Sequence, residues 1–188
     1  MKENGPWTIK SSEIKYQNPW ITVREDQVTR PDGKDGIFGL VFAKHGVSVL
    51  PIDDEGNVHL VEEFAYGLGE TSINTANGAV DDGETYLDAA RRELKEELGI
   101  EAGEWIDLGL VNPFTSNILA PARLFLARKL TFTDTSHEGT ESIKPLKIPL
   151  QQAAQMVLGN KITLGQSCVL ILKVKAFLEN EKKERENN

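Results

Sequence analysis

The chain has 188 residues, of which 39% are hydrophobic and 27% charged, with a formal net charge of −8. That length supports one domain with its own buried core, and the acidic balance argues against non-specific nucleic-acid binding, which needs a basic surface. A single cysteine, Cys168, excludes an intramolecular disulfide and a multi-cysteine zinc site, and it reads as a small buried hydrophobe.

No apolar run reaches the roughly 18 residues that a membrane span needs. The start, from Met1 to Trp7, lacks the apolar core of a signal peptide. The expectation is a cytoplasmic protein without a membrane or nucleic-acid partner. An acidic protein that handles an anionic substrate needs cations to bridge the like charges.

In chain order, residues 7–43 read as a β region. Residues 20–24 alternate and are β-branched, 30–36 form a turn around Pro31-Asp32-Gly33, and 37–42 return as a second strand. Asn18-Pro19-Trp20 reads either as a recognition corner or, more commonly for such a pattern, as an aromatic packed at a strand start. Residues 46–52 and 57–64 flank Asp53-Asp54-Glu55-Gly56, a strong hairpin signal, and His59 on the second strand reads as a surface or satisfied histidine. Residues 66–77 read as loop, 85–98 as a helix, and 105–111 and 122–130 as strands separated by a long pocket-shaping loop, 112–121. A polar loop, 131–140, leads to a strand over 141–148 that has a proline near its start. A short amphipathic helix at 151–158 stops at Gly159. A terminal helix at 164–179 precedes a charged, frayed tail. Strands dominate the middle with helices interspersed, which predicts a mixed-sheet α/β domain.

Chemistry concentrates in residues 78–100. Thr85 followed by Asp88 resembles a capping box with aspartate in place of glutamate, and Gly99 fits the left-handed position that ends a helix. Leu87, Ala90, Leu94 and Leu98 then share an inward face. Glu93, Glu96 and Glu97, at i, i+3 and i+4, share an adjacent face. Like charges this close destabilise the helix unless something neutralises them, and hard divalent cations prefer such oxygen ligands. Read from the residues alone, the same three glutamates also fit a solvated acidic face. Glu84, before the helix, suits its positive end. Arg92 can hold a carboxylate bidentately. Gly78 permits a tight turn that would let a main-chain carbonyl, that of Asn77, face an ion.

With Gly78, Glu84 and Arg92-Glu93-Leu94-Lys95-Glu96-Glu97-Leu98-Gly99-Ile100 in place, the chain resembles the Nudix hydrolase family. Every defined position of the family box is filled at the family spacing. Beyond the box, the upstream hairpin, the strand end at Leu126-Ala127 and the closing helices are similar to the branch that cleaves ADP-ribose and nucleoside-diphosphate sugars. The resemblance implies an α/β/α sandwich around a mixed β-sheet, with an N-terminal β-hairpin region over 1–43 as a dimerisation element, a Nudix domain over 44–180 and a disordered charged tail over 181–188. It implies hydrolysis of the pyrophosphate of a nucleoside diphosphate linked to another group, with Mg²⁺ or Mn²⁺ as cofactor, in a homodimer.

By position, the resemblance makes Glu93 and Glu97 metal ligands and Glu96 a further or water-mediated ligand. The carbonyl of Asn77 completes the shell, Arg92 and Glu84 orient the cluster, and Gly78 and Gly99 shape its frame. A later glutamate, Glu141 first and Glu138 second, is the candidate additional ligand or base. Phe64, Tyr66 and Phe114 are candidate stacking residues for a nucleobase, with core packing as the competing reading.

The chain departs from the branch where the substrate should be read. Asn74-Thr75-Ala76-Asn77-Gly78 stands where the branch carries Glu-Leu-Pro-Ala-Gly. Residues 62–66 contain no arginine, and 112–121 contain no acidic residue. Two alternatives therefore stand beside the ADP-ribose or sugar-nucleotide pyrophosphatase: a nucleotide-binding module that does not hydrolyse, and a hydrolase of other substrates such as nucleoside triphosphates.

Overall fold

The computed structural model describes residues 1–133 and 143–187. These divide into two compact units, Met1–His45 with Asn112–Pro121, and Gly46–Val111 with Ala122–Asn188.

The first unit is a five-stranded sheet in the order β1-β2-β3-β4-β10. Its strands are β1 (Lys2–Asn4), β2 (Trp7–Gln17), β3 (Ile21–Thr29), β4 (Asp35–Ala43) and β10 (Ile118–Leu119). The expected hairpin is present as a longer pairing, from Ile21↔Ala43 to Thr29↔Asp35, with the expected first segment at its open end, away from the turn. Its turn closes through Gly33, whose φ of 79° suits glycine. At the preceding turn, the side chain of Asn18 accepts from the N–H groups of Trp20 (2.9 Å) and Ile21 (2.8 Å), an Asx turn that reverses the chain. Trp20 is 70% exposed, which corrects its reading as a packed aromatic: the asparagine, not the indole, makes this corner. Residues 112–121 belong to this unit because the Val41 N–H donates to the Asn117 carbonyl (2.8 Å) and β10 pairs parallel with β4.

The second unit holds a four-stranded sheet, β8-β5-β11-β9, and a three-stranded sheet, β12-β6-β7. The strands are β5 (Gly46–Pro51), β6 (Asn57–Ala65), β7 (Glu70–Asn74), β8 (Ala76–Ala79), β9 (Ile100–Val111), β11 (Ala122–Phe132) and β12 (Lys144–Pro149). The helices are α1 (Tyr86–Leu98), α2 (Leu150–Leu158) and α3 (Gly165–Glu186). The strand period of two sorts the side chains into two cores. Val47, Val49, Phe125 and Ala127 pack with Ala89, Ala90, Leu94 and Leu98 of α1. Leu50, Leu124 and Leu126 pack with Ala153 and Ala154 of α2 and with Leu170, Ile171 and Val174 of α3. The sheet thus carries helices on both faces, the expected α/β/α sandwich.

Two further expectations are corrected. Residues 66–77 are not all loop: β7 pairs antiparallel with β6 from Val61↔Asn74 to Ala65↔Glu70, and β8 pairs with β5 from Gly46↔Ala79 to Val49↔Ala76. These strands bury hydroxyl and amide side chains that bond to one another, so hydropathy gives no strand signal there. The tail from 181 is helical through Glu186. Arg128 on β11 pairs with Glu181, and Lys182 faces Glu186 one turn on (3.8 Å), so charge that reads as disorder extends α3 instead. No helix among the described residues is long and apolar enough to cross a membrane.

Candidate active site

The site is built on α1. The Thr85 hydroxyl accepts from the Asp88 N–H (3.2 Å) and donates to the Asp88 carboxylate (2.6 Å), which starts the helix. Gly99, at φ 62° and ψ 33°, ends it, with its N–H on the Lys95 carbonyl (2.9 Å). Between these caps the apolar stripe fixes the helix against the sheet, and that fixes the rotation of the carboxylate face.

Arg92 is the centre of that face. Its Nε and Nη2 donate to the two oxygens of Glu84, each at 3.0 Å, a bidentate pair. Its Nη1 donates to Glu93 (2.7 Å) and Glu96 (3.1 Å), and Nη2 also reaches the Ala79 carbonyl (2.9 Å). One guanidinium therefore gathers three carboxylates and the strand end that leads into the helix. The hydrogen bonds from Arg92 hold the Glu84 carboxyl below the usual range against the opposing effect of burial, and Glu84 in turn accepts from the Asp81 N–H (3.0 Å). The guanidinium is held firmly protonated by Glu84 first, with Glu93 and Glu96 adding to it against desolvation.

Gly78 adjoins Glu93. A Cβ placed on it would lie 1.9 Å from Oε1 and 2.0 Å from Cδ of Glu93. The missing side chain is the space that the Glu93 carboxylate fills. Glu97 is the deepest of the group, 7% exposed, and its Oε2 accepts from the Asn77 N–H (3.2 Å). The contact seen from Asn77 to this face is through its N–H.

Among the described residues no three His, Cys, Asp or Glu side chains form a ready-made cation cluster; Arg92 draws Glu84, Glu93 and Glu96 to itself. The donor set still fits a hard divalent cation. It consists of carboxylate oxygens on one helix face, in a cradle that a single Cβ would fill, beside a guanidinium that offsets their mutual repulsion.

Residues 43–145 match the family model described as the NUDIX domain. The chain belongs to the Nudix family. Residues 7–41 match a second model, the nucleoside diphosphate sugar hydrolase N-terminal domain. Over nearly its whole length this Nudix chain is 29% identical to an ADP-ribose pyrophosphatase of Mycobacterium tuberculosis, covering 94% of this chain and 86% of that one. It is 26% identical to an ADP-ribose pyrophosphatase of Bacillus subtilis, covering 97% and 100%. A crystal structure of an ADP compounds hydrolase superposes with a TM-score of 0.83 at 19% identity, covering 96% of this chain and 98% of that one, which shows the shared fold.

Of the residues expected in the Nudix site, Glu84, Arg92, Glu93 and Glu96 are joined by hydrogen bonds, Gly78 abuts Glu93, and Glu97 meets Asn77. Glu138 and Glu141 lie outside the described residues. Phe64 and Tyr66, at the end of β6 and just beyond it, are exposed rather than packed in the core. Phe114 is also exposed, on the 112–121 segment of the first unit, where it lines a shallow hollow with His45, Thr115 and Leu119. The sequence reading missed the Ala79 carbonyl. Main-chain acceptors carry no residue signature, and the clue available was the surplus of donors on Arg92 over the carboxylate it was assigned.

Proposed function

We propose that this Nudix chain hydrolyses the pyrophosphate bond of a nucleoside diphosphate linked to a further group, of the ADP-ribose or sugar-nucleotide type. Water adds across the bridging anhydride, so the products are a nucleoside monophosphate and the phosphorylated second group. The observation that carries this reading is the arrangement on α1, where Arg92 gathers Glu84, Glu93 and Glu96 beside the opening left by Gly78. The two ADP-ribose pyrophosphatases that match nearly the full chain support the substrate class.

Glu93 and Glu97 would hold a Mg²⁺ or Mn²⁺ ion, with Glu96 and the carbonyl of Asn77 as further ligands. When bound, such an ion neutralises charge on the pyrophosphate and lowers the pKa of a coordinated water. Arg92 and Glu84 keep the carboxylates oriented. Where Glu96 is not itself a ligand, it would accept the proton of the attacking water, as the most exposed of the three carboxylates that Arg92 holds; Glu141 or Glu138 also fits that role by sequence. Phe64, Tyr66 and Phe114 offer exposed rings on which a base can stack.

The working form is proposed to be a cytoplasmic homodimer. Ile14, Tyr16, Trp20 and Ile37 of the N-terminal unit are exposed, and burying them against a second copy would remove apolar surface from water.

The test is a panel of ADP-ribose, GDP-mannose, UDP-glucose, NADH, dinucleoside polyphosphates and nucleoside triphosphates with Mg²⁺ or Mn²⁺, with products read through a coupled phosphatase. Turnover of ADP-ribose or a nucleoside-diphosphate sugar above the triphosphates is expected. Tight nucleotide binding without turnover of any member would replace the enzyme with a sensor.

A further inference from the structure

The run Asn74-Thr75-Ala76-Asn77, which breaks the branch pattern, is polar and largely buried. Asn74 donates to Glu63 (3.0 Å) and accepts from the Ser72 hydroxyl (3.1 Å). The Thr75 hydroxyl lies 2.6 Å from that of Ser48 and 2.9 Å from that of Ser167, and the Thr75 N–H donates to the Ser167 hydroxyl (3.1 Å). Ser48, Thr75 and Ser167 are each fully buried. The Asn77 amide donates to the Thr75 carbonyl (2.9 Å) and accepts from Gln166 (3.3 Å), while the Asn77 N–H donates to Glu97 (3.2 Å). A continuous path thus runs from the first turn of α3, through residues 75–77, to the deepest carboxylate of α1.

We infer that Gln166 and Ser167 are positioning residues for Glu97, acting through Thr75 and Asn77 to fix the N–H that orients its carboxylate. The inference rests on the reading of Glu97 as a metal ligand. Apolar side chains would fill the same space without the cost of burying three hydroxyls, so this network contributes direction more than stability. A hydroxyl network sets the position of the Thr75 backbone, and the Gln166–Asn77–Thr75 contacts set the orientation of the next peptide units. A carboxylate buried beside them accepts the Asn77 N–H on one defined oxygen, and this settles which lone pairs remain for an ion. The departure from the Glu-Leu-Pro-Ala-Gly pattern thereby replaces a proline-stiffened approach with one held by hydrogen bonds from α3.

The test is titration of the full chain with Mn²⁺, following free Mn²⁺ by electron paramagnetic resonance, for the wild type, Glu97→Gln, Gln166→Met and Ser167→Ala. Glu97→Gln should remove the site. Gln166→Met and Ser167→Ala should each weaken Mn²⁺ binding about tenfold, the lower end of the loss seen when groups supporting a metal ligand are removed. Gln166 is half-buried, so Gln166→Met should keep the wild-type melting temperature, whereas Ser167→Ala lowers it. With substrate, kcat at limiting Mn²⁺ should fall in both variants and recover at saturating Mn²⁺, with KM for substrate unchanged. Wild-type Mn²⁺ affinity in both variants, beside a wild-type site that Glu97→Gln abolishes, would overturn this inference alone. A wild-type chain with no Mn²⁺ site would overturn it together with the metal reading of α1.

Discussion

At the scale of single residues, the site depends on one absent side chain and one shared cation. The Gly78 backbone is not in the left-handed region, so alanine can adopt it, and the atoms its Cβ would meet belong to the end of a flexible glutamate. Gly78→Ala should therefore fold while displacing Glu93. Pyrophosphatase activity is expected to fall by about 100-fold, the cost of moving a reacting group by an ångström or so, with a change of a few degrees at most in melting temperature; steady-state kinetics beside calorimetry would check both. Arg92→Lys should also reduce kcat strongly, because an ammonium cannot make the paired bonds to Glu84 while reaching Glu93, Glu96 and Ala79. Equal activity of Arg92→Lys and wild type would mean the fork does not organise the site.

At the scale of elements, α1 was legible because its signals are local. Its cap, apolar stripe and terminal glycine all fall within its own residues. Thr85→Ala should cost about 1 kcal/mol by removing the cap, and Gly99→Ala about 1–2 kcal/mol by forcing a side chain into the left-handed region. For a chain of this size these correspond to roughly 2–4 °C and roughly 2–8 °C in melting temperature, readable by calorimetry with Asp82→Ala, at an exposed position outside the helix, as the control. The strands β7 and β8 were not legible. β7 pairs with its hairpin neighbour β6 but buries Ser72 and Asn74 where a strand signal would need apolar side chains, while β8 pairs with the distant β5 and Thr75, between the two strands, bonds to the distant Ser167. The same separation hides the link from α3 to Glu97. The extension of α3 past 181 was missed for a related reason: the charged run that reads as disorder finds Arg128 as a partner.

At the scale of the whole molecule, the network around Asp53 ties stability to pH. Burial opposes ionisation of Asp53, but Lys147 (2.7 Å) and the Asn57 N–H (2.9 Å) outweigh it and hold its carboxyl down at about 2. An unfolded aspartate titrates near 4. The resulting stabilisation, about 2 kcal/mol, is fully present above that unfolded value and is lost as pH falls towards 2. Burial also lowers the pKa of His59, whose Nε2 is 3.6 Å from Asp53, against the attraction of that carboxylate. Its neutral form is favoured in the fold, so its contribution is present above the unfolded value of about 6.5 and declines below it. Both slopes have the same sign: acid destabilises. The melting-temperature advantage of the wild type over Asp53→Asn should persist from pH 7 down to about pH 4 and shrink from there towards pH 2; an advantage unchanged at pH 2 would contradict the assignment. At the same scale, the proposed homodimer predicts a mass near 41.6 kDa by light scattering, twice the 20.8 kDa of one chain.

The division of the chain also shows what kind of information its sequence holds about function. The residues proposed to carry the chemistry fall within 78–100, and the structure joins Glu84, Glu93 and Glu96 through Arg92. The residues proposed to stack on a base, Phe64, Tyr66 and Phe114, are scattered along the chain and follow no compact pattern.

Pyrophosphate hydrolysis on the carboxylate face of α1 is tested by comparing wild type with Glu97→Gln on ADP-ribose and a nucleoside-diphosphate sugar at saturating Mg²⁺. Products should be identified by chromatography and folding checked by melting temperature. The wild type should release a nucleoside monophosphate and a sugar phosphate, while Glu97→Gln, folded, should release neither above background. Full activity in a folded Glu97→Gln chain would contradict the account.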